Sequence, residues 1–89
     1  MQVDVYDTYA TTADGHRMHF DVLVPQGEGA RAAEYARRWL DQIGIQGGEV
    51  SLNRCNFCHT ESVTPEVESC LNNDGYFILQ MEGCPAVPA

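Results

Sequence analysis

The chain predicts an α+β domain: a two-layer sandwich in which both helices cover one face of a four-stranded mixed sheet. Three observations carry that expectation. Two early stretches alternate apolar and polar residues around an Asp14-Gly15 pair. Two later stretches space their apolar residues at helical intervals and run up to a glycine. Short apolar segments of strand length follow each of these, giving the order β-β-α-β-α-β.

The first strand comes from residues 1–11, where Met1, Val3, Val5, Asp7 and Tyr9 share a side, and the second from residues 17–24, with Met18, Phe20, Val22 and Val24. Asp14-Gly15 suits a two-residue hairpin turn, whose central positions both need positive φ. That turn pairs Ala13 with His16, and therefore Val5 with Val24, Asp7 with Val22, Tyr9 with Phe20 and Thr11 with Met18. Asp7 then sits as a carboxylate on the buried side, hydrogen-bonded to loop amides, while His19 and Asp21 share the outer face with Thr8.

The principal helix runs from Ala30 to Ile43, with Ala32, Ala36, Trp39, Leu40 and Ile43 on one stripe and Gly44 as the stop. Val50 and Leu52 mark a short third strand, followed by a loop from Cys55 to Ser62. Thr64-Pro65-Glu66 combines a capping hydroxyl, a first-turn proline and an early acid, and opens a second helix that ends at Gly75. Val67, Cys70 and Leu71 share its apolar face, so Cys70 reads as a packing residue. Tyr76 to Met81 is almost continuously apolar, as expected of a strand inside the sheet. The domain is expected to span residues 1–84, with 85–89, carrying two prolines, as a flexible tail.

Eighty-nine residues leave room for one core. No apolar run reaches the roughly 18 residues that span a bilayer, and the first residues lack the pattern of a secretion signal, so cytoplasmic residence is expected. In that compartment Cys55, Cys58, Cys70 and Cys84 are thiols or ligands before they are disulfides. Thirteen acids stand against five arginines, a net charge of −8 with no lysine. The balance repels phosphate-rich surfaces, which excludes nucleic acid and anionic membrane as partners, and the missing lysine removes Schiff-base chemistry and the lysine phosphate loop.

The most specific local string is Cys55-Asn56-Phe57-Cys58-His59. Covalent haem attachment fits its letters and not its compartment. A tetrahedral zinc site would use Cys55, Cys58 and His59, with Cys84 as fourth ligand, although adjacent Cys58 and His59 strain to reach one ion. A redox dithiol would need a lowered thiol pKa, with His59 as the local cation. A cysteine nucleophile would take His59 as base and Glu61 as its orienter. Against these stands a packing role for both thiols, with Phe57 as an anchor.

Two further patterns carry weaker signals. Gly27-Glu28-Gly29-Ala30-Arg31-Ala32 has a dinucleotide-loop outline, yet follows a hairpin arm and places Glu28 where a pyrophosphate would sit, so a flexible loop is the better account. His19 and Asp21 lie two residues apart on one strand face and can form an acid–imidazole pair, with Asp7 and Glu61 as further polar candidates. A partly apolar outer face with Tyr6, Leu23 and Ile78 suggests self-association as a homodimer.

Taken together, Val5-Tyr6-Asp7-Thr8-Tyr9, Gly15-His16-Arg17-Met18-His19-Phe20-Asp21, Cys55-Asn56-Phe57-Cys58-His59-Thr60-Glu61, Gly75-Tyr76-Phe77-Ile78 and Met81-Glu82-Gly83-Cys84 resemble the short bacterial proteins grouped as domain of unknown function twenty-twenty-four. The likeness runs from residue 3 to residue 84. It implies a compact α/β fold and brings no reaction and no catalytic residue. The function expected is therefore a cytosolic binding or accessory module for a protein or small molecule, leaning away from catalysis, with the Cys55 to Glu61 loop as its site and zinc as the one cofactor suggested. A small thiol enzyme or redox carrier is the alternative, and a self-associating structural domain a third.

Overall fold

The computed structural model describes residues 2–13, 15–43 and 50–82. Strands β1 (Gln2–Thr12) and β2 (Arg17–Pro25) form a hairpin; a short 3₁₀ turn (Gly29–Arg31) leads into α1 (Ala32–Gln42); β3 (Val50–Ser62), α2 (Pro65–Asp74) and β4 (Phe77–Glu82) follow. The strands order as β3-β1-β2-β4 with every neighbouring pair antiparallel, so the sheet is not mixed. The reason lies in the crossover: α1 links β2 to β3 over the intervening β1, and the inserted strand turns a would-be parallel neighbour into two antiparallel ones. Cys84 and the tail at 85–89 lie outside the described residues, as do Asp14 and Gly44.

The hairpin turn is one residue longer than the Asp14-Gly15 signal implies. Thr12 N–H donates to the His16 carbonyl at 2.9 Å, Gly15 N–H donates to the Thr12 carbonyl at 2.9 Å, and Gly15 sits at φ 89°. This is a three-residue connection whose left-handed glycine restores the strand twist. His16 N–H also donates to Thr12 Oγ1 at 3.0 Å. The register is consequently shifted by one: Val5 faces Leu23, Asp7 faces Asp21, Tyr9 faces His19 and Thr11 faces Arg17.

A one-residue shift sends each strand's residues to new neighbours on both faces, and both faces turn out to be used. Met18, Phe20, Val22 and Val24 pack with Ala10 beneath Ala32, Tyr35, Ala36, Trp39 and Leu40 of α1. On the opposite face Val3, Val5 and Leu23 pack beneath Leu71 of α2, with Val63, Val67 and Phe77 at the margin. The helices therefore lie on opposite faces, not on one. The expectation of one apolar face failed because both faces of the hairpin carry buried apolar residues.

Aromatic contacts close the α1 layer: Phe20 meets Trp39 at 4.7 Å between ring centroids, and Tyr35 stacks on Tyr76 at 4.6 Å. Burying each such side chain stabilises the fold by about 1.5–3 kcal/mol. The second helix begins as its sequence implies, with Thr64 Oγ1 accepting from Val67 N–H at 3.4 Å and Pro65 in the first turn, and it ends at Gly75 with φ 89°.

Two strands differ from expectation. The third is 13 residues long and includes the whole Cys55 to Ser62 stretch, because the 11-residue β1 presents an outer edge whose backbone groups need partners. Two irregularities, between Val5 and Tyr6 and between Tyr9 and Ala10, absorb the extra residues of β3. The fourth strand is an edge strand paired with β2 alone, so Leu79 and Met81 are exposed instead of enclosed. No described helix is long and apolar enough to cross a membrane.

Candidate metal centre on the open sheet face

Alternation along the strands maps the face under α2 row by row. Val5 and Leu23 form one row with Phe77 beyond them; Asp7 and Asp21 form the next, between Asn56 and Leu79; Tyr9 and His19 form the third, with Arg54 flanking Tyr9. The helix α2 is only 10 residues long and covers the first of these rows. The other two remain open.

In that open area His19 Nε2–H donates to Asp7 Oδ1 at 2.5 Å, and Asp21 Oδ1 lies 4.0 Å from the same nitrogen. One ligating atom from each of the three residues falls within 4.8 Å of the others, and all three side chains are half-buried. The imidazole stacks on Tyr9 at 4.3 Å with 5° between planes, which fixes its plane. Two carboxylates placed directly opposite each other across a strand pair repel. Burial and the neighbouring Asp7 both push the Asp21 carboxyl above its usual range, with His19 acting in the other direction.

An ion bound at about 2.0–2.2 Å to nitrogen and oxygen donors needs those donors roughly 3–3.5 Å apart. The spacing here brackets that value, so modest side-chain rotation brings all three atoms onto one ion. One imidazole and two carboxylates suit a borderline divalent metal, and three protein ligands leave coordination positions open.

The Cys55 to Glu61 string behaves differently, because adjacent residues of a strand point to opposite faces. Cys55 lies beside Thr8 on the α1 face, half-buried, 3.5 Å from Thr8 Oγ1, and burial pushes its thiol pKa up more than that contact lowers it. Phe57 meets Tyr6 edge-to-face at 5.8 Å on the same side. Cys58 is exposed and falls at the irregularity between the His59 and Phe57 pairings. His59 pairs with Val5 and so belongs to the other face, where its Nε2–H donates to Glu61 at 3.1 Å in an exposed hydrogen bond. Among the described residues the only group of three ligating side chains is Asp7, His19 and Asp21; Cys55, Cys58 and His59 form none, and Cys84 lies outside those residues.

Other expected features also move. Tyr6 pairs with Val22 and Leu23 with Val5, so the proposed dimer face divides between the two sides of the sheet, and Leu23 is buried beneath α2. Gly29 is packed against Tyr6 so closely that an added Cβ would overlap the phenol ring, which makes this loop a fitted one. Asp4 braces it, accepting from Gly27 N–H at 3.0 Å and from Thr60 Oγ1–H at 2.8 Å. Cys70 lines a groove of about 490 Å³ with Arg38, Trp39, Gln42 and Tyr76, and none of Asp7, His19 and Asp21 lines it. Sequence reading had paired His19 with Asp21 but sent Asp7 to the other side. The signal that would have joined them was Thr12, whose hydroxyl favours the longer turn.

The model of the family described as a domain of unknown function (DUF2024) matches residues 1–81. No curated protein matches the chain. Among solved structures, the NMR structure of protein NE1680 from Nitrosomonas europaea, a Northeast Structural Genomics Consortium target, is 46% identical, with a TM-score of 0.79 over 96% of this chain and all of that one.

Proposed function

The chain belongs to the DUF2024 family, and from that footing we propose that it is a small binding module whose open sheet face holds a divalent transition-metal ion through Asp7, His19 and Asp21. The observation that carries this reading is the convergence of three ligating atoms, from two adjacent strands, within 4.8 Å. Tyr9 supports it by holding the imidazole plane, as the shell behind metal ligands commonly does. A thiol enzyme draws less support, since burial makes Cys55 a poorer thiolate and Cys58 is exposed at the irregularity of β3, with the His59 imidazole engaged by Glu61. The zinc set of Cys55, Cys58, His59 and Cys84 is likewise less well supported than the carboxylate cluster. Cytoplasmic residence suits a chain whose described cysteines are all free thiols.

Cobalt(II) titration of metal-free protein tests the reading, because its visible absorption reports both stoichiometry and ligand type. The expected result is one equivalent bound with an oxygen/nitrogen spectrum, and an affinity at least about 100-fold lower in His19→Ala and in Asp21→Asn. No binding at 100-fold excess, or a thiolate charge-transfer band lost in Cys58→Ser, would overturn it.

A further inference from the structure

Resting on that metal reading, we infer that the open coordination positions receive a small doubly charged oxyanion, carboxylate or phosphoryl, held against the ion by Arg17 and Arg54. Five arginines are the only permanent cations in a chain of thirteen acids. Arg31 and Arg38 are occupied on α1 with Glu34, at 2.8 and 3.4 Å, and Arg37 stands exposed on the same helix, which covers the other face of the sheet. Arg17 and Arg54 make no ion pair among the described residues and instead stand over one ring, Tyr9, at 5.1 and 5.9 Å from its centroid.

That placement is set by register. Arg54 faces Tyr9 from β3, and Arg17 lies two residues from His19 on β2, about 7 Å along the strand on the same face. The guanidiniums thus border the row that contains the imidazole, with Tyr9 as a shared platform for cation–π contact. Neither reaches Asp7 or Asp21 closely enough to neutralise it. The two carboxylates balance a divalent ion, and the two guanidiniums, gathered at the Tyr9 end of a row whose other end pairs His19 with Glu82 of β4, are the positive charge on the Tyr9 side of its open positions. A dianion with one oxygen on the metal and others on the planar N–H forks satisfies both.

The test uses the intact chain loaded with cobalt(II), titrated in separate arms with methylphosphonate and with malonate. Either oxyanion is expected to bind and shift the cobalt absorption bands while the metal stays on the protein. In Arg17→Gln and Arg54→Gln, both at exposed positions, cobalt affinity should stay within about threefold, while oxyanion affinity falls roughly 10-fold or more per substitution. Tighter methylphosphonate than malonate assigns a phosphoryl ligand, and the reverse a carboxylate. Equal oxyanion affinity in wild type and the Arg17→Gln/Arg54→Gln double variant, or anions that strip the cobalt, would overturn the inference and leave the metal reading standing. Failure to bind cobalt at all would overturn the metal reading instead.

Discussion

The β1–β2 hairpin and the β3 edge both carry residues able to bind metal, and they arrange them in opposite ways. On β3 the candidates are contiguous in sequence and diverge in space, since Cys55 lies on the α1 face, His59 on the α2 face and Cys58 at the irregularity between them. On the hairpin Asp7 is 12 residues from His19, yet the two share a hydrogen bond. In a strand, closeness along the chain separates side chains, while register across strands unites them. A metal-like string is therefore informative only if its backbone is a loop or a helix start.

The largest expected effect tests this contrast directly. The triple variant Cys55→Ser/Cys58→Ser/His59→Ala should keep cobalt affinity within about threefold of wild type, against the loss of at least about 100-fold in His19→Ala. Isothermal titration of both proteins decides it, and the reverse pattern would return the site to the third strand.

Next in size is the brace between the two regions. An added methyl at Gly29 collides with Tyr6, whose ring also contacts Phe57 of β3. Gly29→Ala should cost about 1–3 kcal/mol in denaturant unfolding. A change within 0.5 kcal/mol, the usual range for a surface substitution, would mean that the ring moves aside freely.

Reactivity separates the two thiols of β3. Cys58 is exposed, whereas burial raises the Cys55 pKa and half-covers its sulfur. Iodoacetamide at pH 8 should label Cys58 at least about 10-fold faster, read by peptide mass spectrometry. Equal rates would show that the edge strand opens readily.

The smallest effect concerns stability without metal. A carboxyl whose pKa is raised by folding holds its proton more tightly in the native state, so Asp21 favours the fold most below pH 3.8 and loses that contribution as pH rises through its native value. At neutral pH the ionised group opposes Asp7 across the strand pair. Metal-free Asp21→Asn should therefore gain up to about 1 kcal/mol, or roughly 4–8 °C in Tm, as it loses the metal. A variant less stable than wild type would assign Asp21 a structural role.

How much of this was legible in the sequence differs from residue to residue. The second helix was legible at both ends, because Thr64, Pro65 and Gly75 act on backbone groups within a turn of themselves. The apolar stripe of α1 was legible too, as was the kinship to DUF2024, whose family match covers residues 1–81. The candidate site was legible only in part: Asp7, His19 and Asp21 were all polar candidates, yet only His19 and Asp21 were paired, and Asp7 was placed on the other face of the sheet.

Local chemistry thus determined which segments become helices and strands, since capping, turn formation and periodicity depend on near neighbours along the chain. The register of the hairpin, the division of the helices between two faces, the edge position of β4 and the union of Asp7, His19 and Asp21 were decided only in the tertiary structure. Each depends on pairing between distant backbones. A one-residue difference in a turn is small in local energy but reassigns every cross-strand neighbour.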